Sequence, residues 1–229
     1  MPFSILCYHK VGPEREEGRR LNVSPARLRS HVRYFKRRGF QFALGRELDG
    51  LNARNRVVCL TFDDGYLSTL THGREALLVE GVRATVYVVS ELIGQCSSWD
   101  GEQGRPLADL SLLRAAADEG FEIGNHTSRH PNLAQLPLEK QRLAIAECKT
   151  LLDTIGAESA SLCYPYGAFN ADTLTAARDL GYTVGLALGG RRATADDDLL
   201  CLPRVVVAFS DSVPMLIYRL FLRPFLKRR

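Results

Sequence analysis

Two short stretches of this chain carry residue types that do chemistry together: Thr61-Phe62-Asp63-Asp64-Gly65 and His126-Thr127-Ser128-Arg129-His130. One carboxylate and two imidazoles make an open three-ligand site for a divalent metal, and a second carboxylate beside it is left to act as a base. That combination points to metal-assisted hydrolysis rather than to a binding module. The imidazoles are spaced i, i+4, so a helical or turn-like segment brings both to one ion. Pro131 limits any helix here to a single turn, because the residue before proline avoids the helical region. Gly65 permits a tight turn after the aspartates.

The elements that must position these groups follow from apolar patterning. Strand-like runs span Ile5 to Tyr8, Phe40 to Leu44, Val57 to Phe62, Ala84 to Val89, Phe121 to Gly124, Ser161 to Tyr164, Tyr182 to Leu188 and Val205 to Val207. Helix-like periods lie between them. Ser24 is placed to cap a helix with Pro25 in its first turn and Leu28, Val32 and Phe35 on one face. Ile145, Cys148, Leu152 and Ile155 mark a second helix, and Asn170 caps a third that ends near Gly181. Alternating strands and helices predict a parallel sheet covered by helices. The chemistry-bearing residues fall where strands end: His9, Asp63-Asp64, Asn125-His126 and Tyr164-Pro165-Tyr166-Gly167. An α/β barrel gathers such ends on one rim, so a (β/α) barrel, complete or incomplete, is favoured over an open sheet.

Composition sets the outer bounds. The 229 residues suffice for one sizeable core. The net charge of +4 lacks the stripe of basic and aromatic residues that nucleic acid requires, so no nucleic-acid partner is expected. The six cysteines contain no CxxC pair and read as reduced, buried thiols of a cytosolic protein. Residues 1–6 lack the features of a secretory signal, and no run is long enough to span a bilayer, so a cytoplasmic location is expected. His31 and His72 lie in helix-like segments and read as surface residues.

At the level of motifs, TFDDG at 61–65 and HTSRH at 126–130 resemble the first two motifs of the polysaccharide deacetylase, or NodB-homology, family of carbohydrate esterases. Tyr164-Pro165-Tyr166-Gly167 resembles the third. The similarity runs from about Ile5 to Val207. It implies a distorted (β/α) barrel and a divalent metal held by Asp64, His126 and His130. Zinc is the first expectation, and cobalt, nickel or iron also suit these ligands. It further implies Asp63 as general base and the Tyr166 N–H as an oxyanion donor.

The chain departs from the family pattern in three places. Cys163 stands where many members carry an arginine paired with the catalytic aspartate. No histidine follows His130. No match to the fourth motif's aspartate–tryptophan pattern is present. His9 is therefore expected as the general acid, since some members open with a similar Tyr-His and lack the late histidine. Arg204, at the start of the last strand, is the candidate to restore the missing charge near Asp63. Trp99 is the candidate to stack on a sugar, and Tyr164, Pro165 and Arg204 complete the set expected at the substrate.

The resulting reading is one catalytic domain over residues 1–211 and a basic amphipathic segment over 212–229. Val213, Leu216, Ile217, Leu220 and Phe221 form the apolar stripe of that segment, with Arg223, Lys227, Arg228 and Arg229 after it. Such a segment packs on the barrel or meets an anionic membrane surface. The expected activity is removal of N-acetyl groups from amino sugars of a polysaccharide, oligosaccharide or glycoconjugate precursor. The rivals are a same-fold hydrolase or deformylase acting on a non-sugar amide, and a glycan-binding protein without catalysis. Oligomeric state is left open.

Overall fold

The computed structural model describes residues 3–51, 56–101, 104–157 and 160–223. Ten strands run in chain order as β1 (Ser4–Tyr8), β2 (Lys10–Val11), β3 (Asn22–Val23), β4 (Gln41–Ala43), β5 (Val57–Phe62), β6 (Thr85–Val88), β7 (Glu122–Asn125), β8 (Ser161–Cys163), β9 (Val184–Leu188) and β10 (Leu202–Val206). Seven α-helices accompany them among the described residues: α1 (Glu14–Glu17), α2 (Pro25–Arg37), α3 (Arg74–Val79), α4 (Leu110–Asp118), α5 (Leu138–Thr154), α6 (Ala171–Asp179) and α7 (Val213–Ile217).

Strands β1, β10, β9, β8, β7, β6 and β5 pair in that order, all parallel, and β5 pairs back to β1. The sheet is thus a closed barrel. Leu6 lies opposite both Leu60 of β5 and Val205 of β10, which fixes the register at the closure. β4 adds to the first residues of β5, and β2 and β3 form a separate two-stranded ribbon. Since all barrel strands run one way, their C-terminal ends share one rim.

Side-chain alternation divides the core in two. Ile5, Cys59, Tyr87, Cys163, Leu186 and Leu202 pack with one another inside the barrel. Leu6, Tyr8, Val58, Leu60, Phe62 and Val205 face outward and pack under helices, with Leu28, Val32 and Phe35 of α2. The Ser24 side chain caps α2 by accepting from the Arg27 N–H, and the Asn170 side chain caps α6 by accepting from that of Thr173. Tyr87 fills the interior so tightly that a Cβ at position 124 would meet its ring at 2.4 Å, which is why β7 carries Gly124 there.

His31 differs from its expected surface role. It is fully buried. Tyr8 Oη donates to its Nδ1 (3.0 Å), and its Nε2 donates to the Asp211 carbonyl (2.8 Å). The C-terminal stripe packs on the barrel: Leu216 and Leu220 are buried in the α2-side core, and Arg219 pairs with Asp211. Lys227, Arg228 and Arg229 lie outside the described residues. Among the described residues no helix is long and apolar enough to cross a membrane. All six cysteines are unpaired.

Candidate active site

The rim holds a cleft of about 300 Å³ whose lining includes His9, Asp63, Asp64, His126, His130 and Tyr166. These residues come from the ends of β1, β5, β7 and β8, and ring closure brings them together. Asp63, Asp64, His126 and His130 are all buried.

The backbone around them is held in unusual conformations. The described non-glycine residues with positive φ are Leu21, Asp64, Thr127, His130 and Tyr166. Four of them line the cleft, and Thr127 adjoins a fifth lining residue, His126. The 126–130 segment is therefore a non-helical loop rather than the single helical turn that the spacing allows. Thr127 is β-branched and costly at φ 71°. Its N–H donates to Asn125 Oδ1 (2.8 Å), and its hydroxyl accepts from the His130 N–H (3.1 Å), which fixes the loop. Strain concentrated in this way marks a functional site.

Asp64 Oδ1 lies 3.3 Å from His126 Nε2 and 3.3 Å from His130 Nε2. His126 Nδ1 donates to the Cys163 carbonyl at 2.8 Å. A neutral His126 therefore presents a lone pair, not a proton, to Asp64. Asp64 Oδ1 and His130 Nδ1 are buried without a hydrogen-bond partner. Burial also holds His130 below its ordinary pKa, against the pull of Asp64, which favours the neutral ligand form. The His126 lone pair facing an unpartnered carboxylate oxygen is a repulsive contact that a cation relieves, and His130 Nε2 stands at the same distance from that oxygen. The residues present fit a divalent metal, and the hydrogen bond to Cys163 is the kind of outer contact that orients a ligating histidine.

Asp63 sits beside this group in a different environment. Arg204 Nη1 and Nη2 donate to its two carboxylate oxygens at 2.6 and 2.8 Å. Arg204 also donates to Thr61 Oγ1 and to Cys163 Sγ, both at 3.0 Å. The guanidinium thus crosses from β10 and ends against Cys163, where the third motif lacks its arginine. With 0% exposure, Arg204 has no surface to offer a substrate, which corrects its place in the expected substrate-facing set. Tyr164 and Pro165 are corrected for a related reason. Cys163 points inward, so Tyr164 points out of the barrel, donates to the Leu200 carbonyl at 2.6 Å and stacks on Phe169. Pro165 is buried as well.

Trp99 is half-buried and stacks on His130 with centroids 4.1 Å apart. Its indole N–H donates to Tyr66 Oη (3.0 Å), which donates to Asp100 (2.6 Å). Tyr166, 57% exposed, also packs edge-on against His130. His9 is half-buried at the same rim. Sequence reasoning passed over Tyr66, Asp100 and Cys7. Cys7 was legible in principle, because it lies two residues before His9 on an alternating strand.

Comparison with known proteins agrees with this geometry. The chain is 27% identical to YxkH of Bacillus subtilis over 210 residues, 89% of this chain and 71% of that protein. It is 29% identical to the peptidoglycan-N-acetylglucosamine deacetylase PgdA of Listeria monocytogenes over 118 residues, 51% of this chain and 22% of that one. The solved structure of Streptococcus pyogenes deacetylase PplD in complex with acetate matches with a TM-score of 0.81 at 25% identity, covering 96% of this chain and 98% of that one. A family model for polysaccharide deacetylase matches residues 50–185. On these matches and on the barrel that carries the motifs, this chain belongs to the polysaccharide deacetylase family of carbohydrate esterases.

Proposed function

We propose that this protein removes N-acetyl groups from amino sugars of a glycan or glycoconjugate precursor, with Asp64, His126 and His130 holding one divalent metal, zinc by preference. The observation that carries the reading is the convergence of Asp64 Oδ1, His126 Nε2 and His130 Nε2, at 3.3 Å, beside a carboxylate held by a separate cation. The acetate bound to PplD and the N-acetylglucosamine substrate in the name of PgdA support the choice of acyl group and sugar. Half-exposed Trp99 and exposed Tyr166 beside the cleft supply flat apolar faces for a pyranose ring.

A divalent cation at this site supplies a Lewis acid that polarises an amide carbonyl and acidifies water. The chain's own residues do the rest. Asp63, kept ionised by Arg204, accepts the proton of the attacking water. The Tyr166 N–H donates to the oxyanion of the tetrahedral intermediate. His9, beside Asp63 on the end of β1, gives a proton to the leaving amine. Six unpaired thiols support a reducing, cytoplasmic setting. Of the segment 212–229, proposed as distinct from the catalytic domain, Leu216 and Leu220 pack in the core shared with α2.

The test is acetate release from an acetylated chito-oligosaccharide, with formate release from formylated amides as a parallel arm. Release of acetate that stops with a chelator, and that Asp63→Asn abolishes, supports the reading. Release of formate alone overturns the substrate assignment.

A further inference from the structure

Cys7 is a buried nucleophile at the rim with no task in the reaction above. Its Sγ lies 3.4 Å from Asp63 Oδ2 and 3.9 Å from His9 Nδ1. The three ligand atoms of Cys7, His9 and Asp63 all lie within 4.8 Å of one another. Zinc bonds of about 2.3 Å to sulfur and 2.0–2.1 Å to nitrogen or oxygen spread tetrahedral ligands about 3.5 Å apart. The two Sγ separations, 3.4 and 3.9 Å, lie on either side of that value. Thiolate, imidazole and carboxylate together select zinc and its thiophilic neighbours over magnesium or calcium, which prefer oxygen alone.

We propose that Cys7, His9 and Asp63 form a second, inhibitory site for zinc or a similarly thiophilic cation. The ion replaces the thiol proton. The S–H bond breaks, the proton leaves to solvent through the cleft that His9 lines, and Sγ, Nδ1 and Oδ2 each donate a lone pair. Nothing is oxidised or reduced. Oδ2 already accepts from Arg204 Nη2 at 2.8 Å, but a carboxylate oxygen has two lone-pair directions, so that bond survives. The guanidinium and an ion at Asp64 both oppose the incoming charge, so this site fills after the first. The inhibitory part rests on the roles proposed above, because one ion then occupies both the proton acceptor and the proton donor. The binding part does not.

The experiment is a cadmium titration of Cys96→Ser/Cys201→Ser protein, which lacks the thiols that are exposed or half-buried outside this cluster. The expected result is thiolate-to-cadmium ultraviolet absorption that saturates at one equivalent of thiolate-bound ion and disappears in Cys7→Ala. Asp64→Asn keeps the absorption and loses the separate, non-absorbing ion. Excess zinc inhibits acetate release, magnesium does not, and Cys7→Ser raises the half-inhibitory zinc concentration at least about tenfold. Melting followed by circular dichroism establishes that each variant is folded. Absorption that persists in folded Cys7→Ala, or none in the parent protein, overturns the second site. Absorption without any non-absorbing ion instead overturns the Asp64 site and leaves this one standing.

Discussion

Arg204 forks onto both carboxylate oxygens of Asp63 from 141 residues away, with neither group open to solvent. Cys163 occupies the position from which many relatives of this sequence pattern supply that arginine, and Arg204 reaches its sulfur. Here β10 rather than β8 supplies the charge beside Asp63.

Arg204→Met is expected to act on stability and on pH dependence together. Removing one partner of a buried ion pair costs about 3–5 kcal/mol. Burial alone raises the Asp63 carboxyl, and the charge and hydrogen bonds of Arg204 outweigh it, holding the group well below the usual carboxylate range. A depressed carboxyl adds stability that is present above its unfolded pKa and is lost as pH falls through the folded value. Without Arg204 the burial effect remains, so the acid limb of kcat/KM moves to higher pH. A variant with an unchanged pH–rate profile contradicts this role.

His9→Phe is expected to lower turnover by about 10²–10⁴, the usual contribution of a positioned acid, while metal content stays at the wild-type level. Near-normal turnover with metal still bound removes His9 from the reaction.

His31 predicts a pH effect on folding distinct from catalysis. Burial holds it below its ordinary value of 6.5, against the pull of Asp211. The unfolded chain therefore binds a proton that the folded one resists, and stability falls as pH drops below about 6.5. The slope approaches about 1.4 kcal/mol per pH unit for a fully resisted proton. His31→Gln, followed by urea melts between neutral and mildly acid pH, is expected to flatten this dependence. An unchanged slope assigns the effect to other groups.

Leu216→Ala is expected to destabilise the fold by about 2–5 kcal/mol, because Leu216 is fully buried in the α2-side core. A cost below about 1 kcal/mol would mean that the C-terminal segment adheres only loosely and is available to a membrane surface. Vesicle cosedimentation of the full chain and of a chain ending at Asp211 separates the two cases.

The placement of chemistry on the rim was legible in the sequence because parallel strands read as apolar runs, and His9, Asp63-Asp64 and His126 stand where those runs stop. What alternation decides was harder to read. Arg204 faces inward because Val205 packs outward, and Tyr164 faces outward because Cys163 packs inward. A motif of consecutive residues does not say which of its members meets the cleft. The left-handed residues Thr127 and His130 were not legible either, since nothing local favours that conformation and the loop is held by Asn125 and by the Thr127 hydroxyl. His31 looked like a helix-surface residue because its partners, Tyr8 and Asp211, lie far from it in the chain.

Trp99 is the single tryptophan and stacks on His130, so its emission reports directly on the proposed metal ligands. The decisive measurement is a stoichiometric zinc titration of chelator-stripped protein followed by that emission. The account predicts a change that ends at one equivalent in the wild type and is lost in Asp64→Asn. A titration in which Asp64→Asn binds as tightly as the wild type, or in which wild-type emission never responds, contradicts the claim that Asp64, His126 and His130 share one cation.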